Sequence, residues 1–104
     1  MGDPVSAPSA AIGLTVLAVE PVSSGKLFAL VTAEVDIEGV SVVIHGIQAL
    51  RCDPAGTRIE LPKFRDHTGT WRAAVTLPDE IKVPLGDAVL ETLIERGLAK
   101  RRFG

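Results

Sequence analysis

Residues 42–75 have the sequence VVIHGIQALRCDPAGTRIELPKFRDHTGTWRAAV, and this stretch decides the fold that we expect of the chain. Its apolar, β-branched segments are typical of strands, and its Pro and Gly residues are typical of turns. The pattern predicts, in order, a strand over 40–51, a turn over 52–57, a short strand over 58–61, a polar loop over 63–70 and a strand over 71–77.

The segments before this stretch predict two more strands of the same sheet. Residues 12–19 are rich in β-branched and apolar side chains, and we expect Pro21 to close that strand. Gly25 suits the turn that follows. Residues 27–36 alternate apolar and polar side chains, which is typical of an antiparallel strand with one covered face. Residues 37–39 predict the next tight connection, so the first three strands are expected to form a meander.

The segment from Pro84 onward predicts a single helix. Leu85, Val89 and Leu93 recur at a spacing of four residues and give it an apolar stripe. Pro84 suits the first turn of this helix, and Gly97 suits its C-terminal cap. We expect the apolar stripe to lie on the sheet.

Together these segments predict one α+β domain over residues 11–104, after a flexible tail over 1–10. The expected fold is a five-stranded, mainly antiparallel sheet with a C-terminal helix packed on it. The strand over 40–51 is apolar on both faces, which predicts either a central position in the sheet or a bulge near Gly46.

Composition excludes several classes of protein. The chain has 104 residues and a formal net charge of −2, which argues against a generally basic nucleic-acid binder. The charge is uneven, because residues 1–62 carry a formal −4 and residues 63–104 carry +2. Cys52 is the only cysteine, so neither an intramolecular disulfide nor a zinc site built on cysteine pairs is expected. No secretory leader or membrane span is predicted, and we expect a cytoplasmic protein.

No set of residues indicates catalysis. His45 stands in an apolar strand without a neighbouring acid, and His67 beside Asp66 would need metal ligands from elsewhere in the chain. Asp79 and Glu80 are adjacent and would not face each other across a substrate. We therefore expect a protein that is not an enzyme, with no cofactor, no metal and no small-molecule substrate.

Two basic clusters are candidates for binding nucleic acid. Lys63, Arg65 and Arg72 would meet on one surface if the loop over 63–70 folds back over the next strand, and Arg58 could extend this surface. A merely solvated charged face is the alternative. By its parity in the strand, Trp71 cannot join Arg72, so we expect it in the core or in a dimer contact.

The second basic cluster follows the predicted helix. It consists of Lys100, Arg101 and Arg102, and it could either touch nucleic acid or keep the end of the chain soluble.

Several short motifs stand in an order that resembles the stage V sporulation protein G (SpoVG), or septation regulator, family. The resemblance covers roughly residues 12–96. The residues that carry it are Val43-Ile44-His45-Gly46-Ile47, Gly56, Leu61-Pro62, Lys63, Gly69, Trp71-Arg72 and Asp87-Ala88-Val89-Leu90. The chain departs from the family at Gly46, Lys63-Phe64-Arg65, Ala73 and Thr76-Leu77-Pro78.

This resemblance implies a small α+β homodimer, and a bacterial cytoplasmic regulator that binds DNA or RNA. Lys63, Arg65 and Arg72 match the family's basic loop and the Arg that follows it. The alternative is a dimeric protein-interaction module without nucleic-acid binding, which the negative net charge and the apolar positions Leu90 and Ile94 would favour.

Overall fold

The structure is a computed structural model that describes residues 12–52 and 56–100. Within these residues, four strands form an antiparallel sheet in chain order, two short strands form a separate antiparallel ribbon, and one helix follows. The elements are β1 (Ile12–Ser24), β2 (Leu27–Ile37), β3 (Val40–Arg51), β4 (Thr57–Glu60), β5 (Lys63–Arg65), β6 (Trp71–Ala73) and α1 (Asp79–Glu95).

The expected α+β class is confirmed, with a mostly antiparallel sheet and a C-terminal helix, but the single five-stranded sheet is not. The last strand, predicted over 71–77, is only three residues long and pairs with β5 instead of joining the main sheet. Residues 63–65, predicted to be loop, form its partner strand. The predicted tail over 1–10 and part of the predicted turn, residues 53–55, lie outside the described residues.

The β2–β3 hairpin has the tight turn that the sequence predicts. Glu38 and Gly39 have positive φ values of 52° and 86°, as the central residues of a type I′ turn require. The Asp36 carboxylate accepts a hydrogen bond of 2.9 Å from the Gly39 N–H. This turn sets the antiparallel register of two strands in the interior of the sheet.

β3 has the predicted bounds, lies in the interior of the sheet and contains the predicted bulge. Ile47 pairs with Val31 and Ile44 pairs with Ala33, so β3 has one more residue than β2 across this interval. Gly46, in the bulge, has a φ of 78°. Because the extra residue shifts the alternation, Ile44 and Ile47 are both buried.

β1 continues through Pro21 to Ser24, so the prediction that Pro21 closes the strand was wrong. Among the described strands β1 lies at the edge of the sheet, and a proline is tolerated there because one side of the strand has no partner within residues 12–52 and 56–100. A bulge at Leu17 places Val16 and Val19 in register with the buried side of β2 and leaves Leu17 about half exposed. Gly25, in the turn after β1, has the expected positive φ of 62°.

α1 begins at Asp79, so the prediction that Pro84 lies in its first turn was wrong. Ile81 extends the apolar stripe one turn ahead of Leu85, and the N–H groups of Ile81 and Lys82 both donate to the Pro78 carbonyl. Pro84 lies in the second turn, where its missing N–H removes one hydrogen bond from the helix.

The C-terminal end of α1 is capped as predicted. Gly97 has a φ of 77°, and its N–H donates to the Ile94 carbonyl at 3.0 Å. The Leu98 N–H donates to the Leu93 carbonyl at 2.9 Å. These two bonds form a Schellman motif, which satisfies carbonyls left open at the helix end.

The core lies between α1 and one face of the four-stranded sheet. α1 buries Ile81, Leu85, Val89 and Leu93, which confirms the predicted stripe. The strands contribute Phe28, Ala29, Val31, Ala33, Val35, Ile44, Ile47 and Ala49. Burying each of the larger side chains stabilises the fold by about 1.5–3 kcal/mol. Among the described residues, no helix has the length and apolar character needed to cross a membrane.

The bulge in β3 gives the first testable prediction. We expect Gly46→Ala to lower the free energy of unfolding by about 1–2 kcal/mol, because an L-residue is strained at this positive φ. A Cβ at Gly46 would meet no atom within 4 Å, so the cost is conformational and not steric. Urea denaturation measures it.

Gly13→Ala is the control for this prediction. Gly13 lies in β1 without a positive φ, and a Cβ there would meet only the Asp36 Cβ, at an ordinary 3.7 Å. Equal urea midpoints for the two variants would contradict the role that we assign to Gly46.

Candidate nucleic-acid interface

The β5–β6 ribbon carries the three basic residues that the sequence singles out, but it divides them between two faces. Arg65 pairs with Trp71, and Phe64 pairs with Arg72. Residues directly opposite each other in an antiparallel pair share a face, and successive residues alternate. Lys63 and Arg65 therefore lie on the face of Trp71, and Arg72 lies on the opposite face with Phe64.

Trp71 is 60% exposed, so the prediction that it packs in the core was wrong; a dimer contact stays a prediction. The reason is that β6 lies outside the main sheet, and all three of its residues are exposed. The Arg65 guanidinium carbon lies 5.7 Å from the centroid of the Trp71 ring, within the range of a cation–π interaction. The parity argument separates Trp71 from Arg72 correctly but misses its pairing with Arg65.

The loop between β5 and β6 is organised by the Asp66 carboxylate. Its Oδ1 accepts hydrogen bonds from the Thr68 N–H at 2.9 Å, the Thr68 hydroxyl at 2.6 Å and the Thr70 N–H at 3.0 Å. Its Oδ2 accepts one from the Arg72 Nε at 2.5 Å. The Thr68 hydroxyl, the Arg72 guanidinium and the Thr70 N–H together hold the pKa of Asp66 well below its usual range.

A groove of about 420 Å³ adjoins the ribbon. Its charged lining residues are Arg58, Glu60, Lys63 and Lys82. Glu60 bridges two of the cations, with the Arg58 Nε at 2.6 Å and the Lys63 Nζ at 2.9 Å. The hydrogen bond from Lys63, with the positive charges of Lys63 and Arg58, lowers the pKa of Glu60.

Arg58 and Lys63 line the same groove and share the carboxylate of Glu60, and the groove also contains Lys82, which the sequence did not indicate as a site residue. Lys82 was missed because the helix was expected to begin after it. Had Ile81 been counted in the apolar stripe, Lys82 would have been placed on the first turn, next to the end of the sheet.

The remaining candidates do not belong to the paired strands β5 and β6 or to the groove, or they lie outside the described residues. Lys100 is exposed just after α1, whereas Arg101 and Arg102 are not described. His45 is exposed at the bulge of β3, and His67 is exposed in the ribbon loop. Within residues 12–52 and 56–100, no group of three His, Cys, Asp or Glu side chains is placed to hold a metal ion.

Comparison of the chain with protein-family models, with curated proteins and with solved structures found no match. The resemblance to the SpoVG family therefore stays a prediction from the ordered motifs.

The Asp66 carboxylate gives the second prediction. We expect Asp66→Asn to remove the charge that holds Thr68, Thr70 and Arg72, so the amide proton signals of Thr68 and Thr70 shift upfield in NMR spectra at pH 7. Asp36→Asn is the matched control, because it changes the acceptor of the Gly39 N–H in a different turn. Unchanged Thr68 and Thr70 signals in Asp66→Asn would contradict the role of the carboxylate.

The pH dependence of the same signals follows from the lowered pKa of Asp66. Folding favours the ionised carboxylate, so the stabilisation of the loop is complete above the unfolded pKa of about 4 and is lost only as pH falls below it. In the unsubstituted protein we expect the Thr68 and Thr70 signals to stay constant from neutral pH to about pH 4.5 and to move in stronger acid. Movement between pH 7 and 5 would contradict this assignment.

Proposed function

We propose that this protein is a non-enzymatic nucleic-acid-binding regulator of the SpoVG type, acting in the bacterial cytoplasm as a homodimer. It binds the phosphates of DNA or RNA through Lys63, Arg65 and Arg72 of the β5–β6 ribbon, and Arg58 and Lys82 of the groove extend this surface. The observation that carries the proposal is the exposed ribbon itself, in which Lys63 and Arg65 share a face with an exposed tryptophan.

The cations have hydrogen-bonding capacity beyond their contacts within the chain. The Arg72 side chain is 62% exposed, and its contact with Asp66 uses only the Nε. A guanidinium has five N–H donors, so two further nitrogens can contact a phosphate. The same holds for Arg58, which meets Glu60 through its Nε. Lys63 has three ammonium protons and one carboxylate partner.

The distribution of charge supports binding at the ribbon and groove and not at the outer face of β1 and β2. The face of the sheet away from α1 carries Glu20, Glu34 and Asp36. Glu34 and Asp36 alternate along β2 with buried residues, and Glu20 pairs with Leu30, which also alternates with them. These carboxylates repel phosphates. In the part of the chain that the structure describes, the ribbon and groove hold five cations, and ion pairs join three of them to two carboxylates, Glu60 and Asp66. A polyanion is therefore attracted to the ribbon and groove in spite of the negative net charge.

The third prediction tests this proposal with the double variant Lys63→Ala/Arg65→Ala. We expect it to weaken binding of labelled DNA and RNA in fluorescence anisotropy titrations. The slope of log affinity against log salt should fall by about 1.5, since each lost phosphate contact removes about 0.7–0.9.

The control is Lys26→Ala/Arg96→Ala, which removes the same charge from the β1–β2 turn and from the end of α1. We expect this control to bind with an affinity close to that of the parent. Its slope of log affinity against log salt should stay within about 0.5 of the parent slope. Equal losses in both double variants would mean that only net charge matters. No salt-sensitive binding of any nucleic acid by the parent would overturn the proposal.

The second candidate function is a dimeric protein-interaction module, and one observation favours it. At the β2–β3 turn, the buried face of the sheet ends in an exposed apolar patch formed by Ile37, Val40 and Val42. Val40 is 64% exposed. Leu90 and Ile94, the positions that the sequence offers for a second subunit, are only half-buried on α1. The patch is therefore the better candidate for the dimer contact or for a partner protein.

The fourth prediction concerns this patch. We expect the parent to sediment at twice the chain mass of 11.0 kDa, and Val42→Lys to sediment as the monomer, because the ammonium group cannot be buried in an apolar contact. Val43→Lys is the matched control, since Val43 is the next residue of β3, points to the other face and pairs with Glu34. A monomeric parent, or a dimeric Val42→Lys, would rule out this patch as the dimer contact.

A further inference from the structure

The most exposed aromatic side chain in the described part of the chain lies among its candidate phosphate contacts. Trp71 is 60% exposed, on the ribbon face that also carries Lys63 and Arg65. The indole is not part of the hydrophobic core, which lies between α1 and the main sheet. A large aromatic ring held at the surface beside cations is typical of a binding surface.

We propose that a base of single-stranded nucleic acid stacks on Trp71 while Lys63 and Arg65 contact the adjoining phosphates. The protein then prefers single strands to duplexes. This inference rests on the proposed function, and it narrows the ligand from nucleic acid in general to strands whose bases are unstacked.

Duplexes cannot use this surface fully. The face of each base in a duplex is covered by its neighbours, so an aromatic side chain reaches it only after unstacking, which costs free energy. A single strand presents its bases freely, and every base has a π-face that can stack on an aromatic ring. Phosphate contacts alone would not distinguish the two forms, so the preference depends on Trp71.

The ring is presented in a defined orientation. Arg65 lies opposite Trp71 in the ribbon and approaches its ring, while the Arg65 Nε lies 3.3 Å from the Gly69 carbonyl oxygen, to which it donates. The Asp66 N–H donates to the Thr70 carbonyl at 3.0 Å, which closes the loop next to Trp71. Because these contacts form within the chain, little conformational entropy is lost when a base stacks.

The same ribbon face continues into the groove. Lys63 and Ala73 pair across the ribbon and both line the groove, which also holds Arg58 and Lys82. Lys63 and Arg65 are two positions apart on one strand, a separation of roughly 6.6 Å. A single strand stacked on Trp71 can therefore follow the cations from the ribbon into the groove.

Trp71 is the only tryptophan of the chain, so its fluorescence reports on this site alone. The experiment titrates the full chain at low salt with oligo(dT) and oligo(rU) of about 20 nucleotides, longer than a single binding site of this kind requires. A duplex of the same length is titrated in parallel. We expect saturable quenching of Trp71 by both single strands and weak quenching by the duplex.

Anisotropy titrations of labelled oligo(dT) with three variants test the stacking itself. Trp71→Leu keeps an apolar side chain without a π-face, and we expect it to weaken single-strand binding about 5- to 150-fold. Trp71→Phe should stay within about tenfold of the parent, because phenylalanine also stacks. Phe64→Leu is the control on the opposite face of the ribbon and should change affinity by no more than about twofold.

The outcomes separate this inference from the proposed function. Salt-sensitive binding of single strands and duplex with equal affinity, without quenching of Trp71, would overturn the stacking inference and leave phosphate binding intact. A Trp71→Leu variant that binds oligo(dT) as tightly as the parent would also overturn the stacking inference and leave phosphate binding intact. If no nucleic acid binds at low salt, both proposals fail. Circular dichroism confirms that each variant is folded before it is compared.

Discussion

The packing of one helix against one face of a four-stranded sheet is the constraint on which the rest of the structure depends. α1 offers a single stripe, one buried residue per turn from Ile81 to Leu93. Opposite it, the interior strands place Ala29, Ala33 and Ala49 among larger residues. These small side chains leave room for the larger apolar side chains of the helix, and Phe28 is the one buried aromatic residue in the described part of the chain.

The bulges in the strands serve this same interface. Without the extra residue in β3, the period of two would place Ile44 and Ile47 on opposite faces. In β1, the irregularity at Leu17 likewise places Val16 and Val19 on the same face of the sheet. Each bulge keeps apolar side chains under the helix where a regular strand would turn them to solvent. The strands therefore depart from regular β geometry at positions that keep apolar side chains facing the buried stripe of α1.

The candidate site lies on an element that contributes little to this core. The β5–β6 ribbon is held by its own backbone pairing, by the Asp66 loop and by the Lys63–Glu60 ion pair. Its side chains at Phe64 and Trp71 are exposed, so their substitution removes little buried surface. The candidate site and the core therefore belong to different parts of the chain, so a substitution in the ribbon tests the site without disturbing the core.

The sequence predicts the elements that the core requires, and it fails where local geometry decides. Alternation and the Gly39 turn are sufficient to give β2 and β3, and the helical spacing gives the buried stripe of α1. Pro21 was misleading because only an edge strand tolerates it, and edge position is a property of the whole sheet. The ribbon was missed because three-residue strands have no periodicity of their own. For the same reason, the opposite orientations of Arg65 and Arg72 could not be derived before the register was known.

The irregular course of β1 has a consequence for how molecules of this protein meet. An unpaired edge strand exposes N–H and C=O groups that can template a strand from another chain. β1 interrupts that row with two bulges, and Pro21 has no N–H to offer. At the opposite edge, β4 has only four residues and ends before Pro62. Neither edge is a long regular template, so the sheet resists open-ended, amyloid-like growth, and contact between copies through side chains is favoured over a continuous intermolecular sheet.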